Sequence, residues 1–220
     1  MKRGTQKHTP LYPACVNLNG RKCIVIGGGK VAQRKIQQLL TCGADVTVVS
    51  PQAQRKIAQW AERQRLKWHR KTCTPEDLTG AFMAFVATDD PQVNRHMAML
   101  CRRRGILVNC ADAPHQCDFF VPSVLRRKSL SIAVGTGGEY PLLAAEVRNV
   151  IEGTISPEYG ELLDMLGKLR KRLHKTVPDT PMHKAILERV PVTDILKLLK
   201  QKKRKEAKDL LKQCISSIQD

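Results

Sequence analysis

The chain has 220 residues, 42% of them hydrophobic. That is enough for one compact domain of about 110–150 residues and a smaller one, with no need of disulfide staples. Lys and Arg number 38 against 20 Asp and Glu, a formal charge of +18 spread along the whole chain, so an anionic partner is expected: nucleic acid, an acidic surface or a polyanionic small molecule.

No apolar run reaches the roughly 18 residues of a membrane-spanning helix. The basic stretch Met1–His8 is not followed by the apolar core of a secretory leader. None of the eight cysteines forms a C-x-x-C pair of the kind that marks zinc or iron–sulfur sites. The expectation is a cytoplasmic protein with reduced, mostly buried thiols and no dedicated metal site.

Along the chain, the apolar strand Lys22–Ile26 runs straight into Gly27-Gly28-Gly29-Lys30-Val31-Ala32 and a helix. Gly27, Gly29 and Ala32 fill the G-x-G-x-x-G/A pattern that opens a dinucleotide-binding βαβ unit. A second strand, Asp45–Ser50, follows at the expected distance. Phosphates would sit at the helix N-terminus, where free N–H groups and the helix dipole favour negative charge. The pattern continues with a polar helix over 52–64, a short strand over 66–69 and a wholly apolar strand over 81–87. A helix over 91–104 with Pro91 at its start and a strand over 106–110 complete it. This alternation predicts an α/β fold with a Rossmann-like parallel sheet.

The pattern changes after Asp112. Phe119–Val124 and Ser129–Val134 are strand-like and separated by Arg126-Arg127-Lys128, which predicts a hairpin or arm. Helices are expected over 141–152, 157–175, 182–189 and 193–218, with Pro178 and Pro181 breaking the chain. The predicted division is a nucleotide-binding domain over 1–115, a dimerisation segment over 116–155 and a C-terminal helical domain over 156–220. The last of these ends in a basic tail over 197–220. No aromatic residue lies in that tail, which favours a solvated helix face over nucleic-acid binding.

Ligands of open α/β sheets gather beyond the carboxyl ends of the strands. The candidate cofactor-binding residues are therefore Gly27, Gly28, Gly29, Lys30, Val31, Ser50, Pro51, Gln52, Thr88 and Asn109. Ser50 stands where an Asp or Glu would hold the ribose hydroxyls, which leaves NAD against NADP open. Asp89 and Asp90 in Thr-Asp-Asp-Pro read as helix caps before they read as catalytic groups. Asp112 is the better catalytic candidate, since a carboxylate in that crevice can accept a proton or meet a metal ion; its structural alternative is a turn cap before Pro114. His115 is close by. A second glycine-rich turn, Gly135-Thr136-Gly137-Gly138, can place backbone N–H groups around a carboxylate or phosphate.

In this order Val25–Lys35, Ala87–Asp90, Asn109–Pro114, Phe120–Ser123 and Thr136–Gly138 resemble the precorrin-2 dehydrogenases of sirohaem synthesis, including the N-terminal half of the multifunctional sirohaem synthases. The resemblance runs from about Tyr12 to Arg172. It implies NAD-dependent oxidation of precorrin-2 to sirohydrochlorin, for sirohaem or cobalamin. Some members also insert ferrous iron, so a bifunctional dehydrogenase and ferrochelatase is an alternative, with iron a substrate that would pass Asp112. It further implies an intertwined homodimer and makes Asp112 the essential carboxylate. Thr136 stands where relatives commonly carry serine, but the hydroxyl is kept. Thr136, Gly137 and Gly138, with Arg126 and Arg148, are the expected contacts for the substrate's carboxylate arms. A non-enzymatic nucleotide-sensing regulatory module is the alternative from a different class.

Overall fold

The computed structural model describes residues 10–176 and 180–216. The chain divides into two compact units, Met1–Val121 and Pro122–Asp220.

The first unit is built on β1 (Lys22–Ile26), β2 (Asp45–Val49), β3 (Lys67–His69), β4 (Met83–Val86) and β5 (Leu107–Cys110). They pair in parallel in the order β3-β2-β1-β4-β5. β4 is buried throughout, as its continuous apolar run requires when both sheet faces are covered. Helices α1 (Lys30–Thr41) and α2 (Arg55–Glu62) cover one face, where Ile36, Leu39, Ile57 and Trp60 meet Cys23, Val25, Val46 and Val48. Helix α3 (Pro91–Arg103) covers the other, where Met97, Ala98 and Cys101 meet Ile24, Ile26, Val86 and Val108. The chain leaves β1 towards β2 and β3, then returns to β4 and β5 on the other side. The topological switch point therefore lies at the carboxyl ends of β1 and β4.

The second unit opens with an antiparallel hairpin, β6 (Ser123–Arg127) and β7 (Leu130–Val134). Arg126 and Arg127 belong to β6 itself, and the turn between the strands is Lys128–Ser129, with Lys128 at φ 53°. Residues 119–122, expected as strand, are irregular; Phe119 instead sets its ring edge-on to Phe85 in the first unit's core, 5.4 Å between centroids. Helix α4 (Pro141–Thr154) and helix α5 (Glu158–Thr176) pack on the hairpin. Gly160 allows that approach, since a Cβ there would lie 2.5 Å from the Arg127 carbonyl oxygen.

Helix α6 (Thr180–Glu188), α7 (Val192–Lys200) and α8 (Arg204–Ser216) complete the unit. The single helix expected over 193–218 is thus two helices, and residues 217–218 lie outside the described ones, as does Pro178. A Schellman motif breaks it. Lys203 N–H donates to the Leu198 carbonyl and Lys202 N–H to that of Leu199, both at 2.9 Å, with Lys202 at φ 62°. The break turns α8 back so that Ala207 and Leu211 join Ile195 and Leu199 in the core. Burying those side chains outweighs the roughly 1–2 kcal/mol of a non-glycine left-handed residue.

One buried carboxylate ties the β3 end of the first unit together. Asp77, its side chain only 7% exposed, accepts from Thr74 N–H at 2.9 Å and pairs with Lys71 Nζ at 2.9 Å. His69 Nδ1 lies 3.6 Å away. Burial pushes this carboxyl up, but the Thr74 and Lys71 contacts outweigh it and hold it below its ordinary value. The folded form therefore gains stability above the unfolded carboxyl's pKa and loses it as pH falls through the folded one. Asp77→Ala is expected to cost about 1–3 kcal/mol at neutral pH. The difference from wild type in urea unfolding should narrow steadily as the solution is acidified below about pH 4.

Candidate active site

The β1–α1 turn is packed backbone to backbone. Gly27 has φ 120°, its N–H donates to the Val49 carbonyl at 3.0 Å, and a Cβ there would lie 2.2 Å from the Ala87 oxygen. At Gly28 a Cβ would fall 2.0 Å from the Gln52 carbonyl oxygen, and Gln54 N–H donates back to the Gly28 carbonyl at 2.9 Å. Beside Gly29 the case is opposite: a Cβ would meet nothing within 4 Å. Gly29 N-caps α1 in extended conformation, and no side chain hydrogen-bonds to that cap. The N-terminus of α1 is thus left without a side-chain cap, with Lys30 and Val31 exposed and Ala32 fully buried. This is an anion cradle of the kind a pyrophosphate fits.

The neighbouring strand ends frame it. Ser50 is buried, and its hydroxyl donates to the Gln52 carbonyl while its own carbonyl accepts from Trp68 Nε1 at 3.0 Å. Pro51 and Gln52 are exposed. Asn109 is 9% exposed and its amide donates to the Phe119 carbonyl at 3.0 Å, bracing the loop that follows β5. Asp90 caps α3, its Oδ1 accepting from the N–H groups of Gln92 at 2.7 Å and Val93 at 3.3 Å. Asp89 and His115 are exposed.

Asp112 sits just past β5, exposed to solvent but held on both oxygens. Asn94 Nδ2 donates to Oδ2 at 3.0 Å, and the Cys110 thiol donates to Oδ1 at 3.1 Å. Desolvation pushes the Asp112 carboxyl up, yet the Asn94 and Cys110 hydrogen bonds and the Arg95 charge bring it below its ordinary value. It is therefore an anion at neutral pH. The same contact works in reverse on Cys110, whose thiol is pushed up to about 11 by burial first and by Asp112 second. That thiol is a hydrogen-bond donor and not a nucleophile.

Asn94 was not among the residues singled out from the sequence. The available signal is a polar side chain at the head of the apolar stripe Asn94, Met97, Ala98, Cys101 on the buried face of α3.

In the second unit, Thr136 accepts from Glu139 N–H at 3.0 Å across a turn whose middle residues, Gly137 and Gly138, have φ 62° and 86°. Arg126 is exposed and donates to Ser131 Oγ at 3.2 Å. Arg148 and Arg127 share Glu152, and Arg127 also donates to the Ile155 carbonyl at 2.9 Å. Lys128 is paired with Asp164 at 2.6 Å. Part of the basic charge around the hairpin is thus tied to the unit's own carboxylates. Among the described residues no group of three or more His, Cys, Asp or Glu side chains could hold a metal ion, and no helix is long and apolar enough to cross a membrane.

Residues 14–123 match the family described as "Putative NAD(P)-binding". The siroheme synthase of Thioalkalivibrio sulfidiphilus is 36% identical over 187 residues, covering 84% of this chain and 38% of that protein. That of Methylococcus capsulatus is 34% identical over 199 residues, covering 90% of this chain and 42% of its own. The chain thus spans about two fifths of these relatives' length. A solved structure titled "SirC, precorrin-2 dehydrogenase" superposes with a TM-score of 0.76 at 27% identity, over 94% of this chain and 100% of that one. The chain belongs to the precorrin-2 dehydrogenase family.

Within that family frame the tightest local constraint here is Gly28. Gly28→Ala must push the Gln52–Ala53 backbone away, since its Cβ would also approach the Ala53 Cα to 2.8 Å. The variant is expected to lose about 1–3 kcal/mol of stability and at least about tenfold in affinity for the nicotinamide dinucleotide, NAD or NADP, that the family takes. Thermal unfolding and calorimetric titration with NAD read these two losses.

Proposed function

We propose that the chain is an NAD-dependent precorrin-2 dehydrogenase, which oxidises precorrin-2 to sirohydrochlorin in sirohaem or cobalamin synthesis. The observation that carries this reading is Asp112, an ionised carboxylate fixed by two donors at the carboxyl end of β5. One strand, β4, separates β5 from the strand that carries the glycine turn at the switch point. NAD, when bound, supplies the hydride acceptor. The α1 N-terminus binds and orients its pyrophosphate, and the open face at Gly29 admits the phosphate oxygens. As the substrate gives up its hydride it must also lose a proton, and Asp112 Oδ is the base that takes it. Because the active form of Asp112 is the anion, turnover should hold through neutral pH and fall only on the acid side, as pH drops through that lowered pKa.

The substrate's carboxylate arms are assigned to the Thr136–Gly138 turn and to Arg126 and Arg148. The Thr136 hydroxyl and the backbone N–H groups of the two left-handed glycines suit anionic oxygen. Arg148 would then serve both Glu152 and substrate. The high positive charge raises the local concentration of such a polyanion. The test is anaerobic incubation of the protein with precorrin-2 and NAD, followed by ferrous iron. NADH and sirohydrochlorin should appear together and only with NAD present. Sirohaem formed faster with protein than without it would add the ferrochelatase. No turnover with NAD or NADP would replace the enzyme by a nucleotide-sensing module.

We also assign the homodimer to the segment over 116–155. The outward side of α4 carries Leu142, Leu143, Val147 and Val150, which are 73%, 52%, 38% and 67% exposed. Such a stripe is costly in water and suits a second copy of the chain. Light scattering should give a dimeric mass for the wild type and a monomeric mass for Leu142→Asp/Val150→Asp.

A further inference from the structure

We propose that Asn94 is a positioning residue that locks the Asp112 carboxylate to the cofactor-side loop after β4. A primary amide has two acceptor sites and two donors, and Asn94 uses all four. Its Oδ1 accepts from Thr88 N–H at 3.1 Å and from the Thr88 hydroxyl at 2.7 Å. Its Nδ2 donates to the Thr88 carbonyl at 3.0 Å and to Asp112 Oδ2 at 3.0 Å. Thr88 follows β4 and Asp112 follows β5, neighbouring strands of the sheet. One side chain thus joins the two loops at the carboxyl ends.

The orientation of the amide is not free. Thr88 N–H can only donate and Thr88 C=O can only accept, so the backbone dictates which end of the amide is oxygen. The remaining amide hydrogen then faces Asp112 and requires an acceptor there. Asn94 is 1% exposed on an otherwise apolar helix face. A polar group there destabilises the fold unless every site is matched. Three bonds close the Thr88 loop; the fourth serves Asp112. The other groups facing that carboxylate are Arg95 from α3, Cys110 from β5 and Cys117 from the loop that follows.

The kinetic readout of this inference rests on the dehydrogenase reading; a second readout does not. Asn94→Asp keeps the acceptor for Thr88 N–H and the Thr88 hydroxyl, but it turns the group that donates to Asp112 and to the Thr88 carbonyl into a second carboxylate oxygen. The kcat for precorrin-2 oxidation should fall between about tenfold and a hundredfold at neutral pH, while the KM for NAD stays within about threefold. The loss should be partly regained at higher pH, because the two carboxylates first share a proton. Asn94→Ser, which leaves room for a water, should lower kcat without that recovery, and it serves if the first variant does not fold. Independently of turnover, the Asp112 carboxyl carbon followed by NMR in carbon-13-labelled protein should titrate at higher pH in either variant than in wild type. A wild type inactive on precorrin-2 would end the dehydrogenase reading and leave the NMR titration to decide this one. An unchanged Asp112 titration, or an Asn94→Asp enzyme with wild-type kcat, would overturn it.

Discussion

The site depends on an absence of side chains. At Gly27 and Gly28 the β1–α1 turn lies so close to the backbone after β4 and after β2 that a single methyl group would overlap a carbonyl oxygen. Two strand ends are thereby drawn against the turn, and on the β2 side Gly27 N–H donates to the Val49 carbonyl while the Gly28 carbonyl accepts from Gln54 N–H. What stays open is the other side of the turn, at Gly29, where the helix N-terminus is uncapped. Close packing on one side and open space on the other are what fit this strand–helix corner for the phosphate-binding role proposed for it.

The carboxylate proposed as the catalytic base is held by a different device. Where the glycine turn uses steric exclusion, the β4 and β5 ends are joined by a chain of polar groups running from Thr88 through Asn94 to Asp112 and Cys110. Each member is satisfied by the next, which makes a buried amide tolerable at the head of an apolar stripe. The outcome for Asp112 is an anion whose two oxygens point in fixed directions although the residue is open to solvent. A carboxylate so placed is ready to take a proton without first having to be ordered.

Much of this was legible in the sequence. The Rossmann-like sheet follows from uninterrupted apolar runs such as Ala81–Ala87 alternating with helical patterns, because only a strand covered on both faces reads that way. The glycine turn is legible because close backbone approach excludes a side chain at Gly27, whereas the equal constraint at Gly28, a variable position of the pattern, comes from the Gln52 carbonyl that only the fold brings near. Asp90 read correctly as a cap from Thr-Asp-Asp-Pro. The α7–α8 break was not legible, because its left-handed residue is Lys202 where glycine would have announced it, and the deciding gain, burial of Ala207 and Leu211, is tertiary. The hairpin turn was displaced for a similar reason: Arg126 and Arg127 look like turn residues by charge, but Arg127 is drawn into the unit by Glu152 and the Ile155 carbonyl. Asn94 is not legible in the sequence because its partners lie on the loops after two neighbouring strands, a relation that only the folded sheet creates.

The most direct measurement on the central claim compares NAD binding with NADH formation in Asp112→Ala. Equilibrium titration gives the first, and anaerobic single-turnover mixing of the protein–NAD complex with precorrin-2 gives the second. The expected result is NAD affinity like that of wild type and no NADH above background, since the turn at Gly29 and the carboxylate at Asp112 follow different strands, β1 and β5. NADH formed at the wild-type rate would contradict it and remove Asp112 from the reaction.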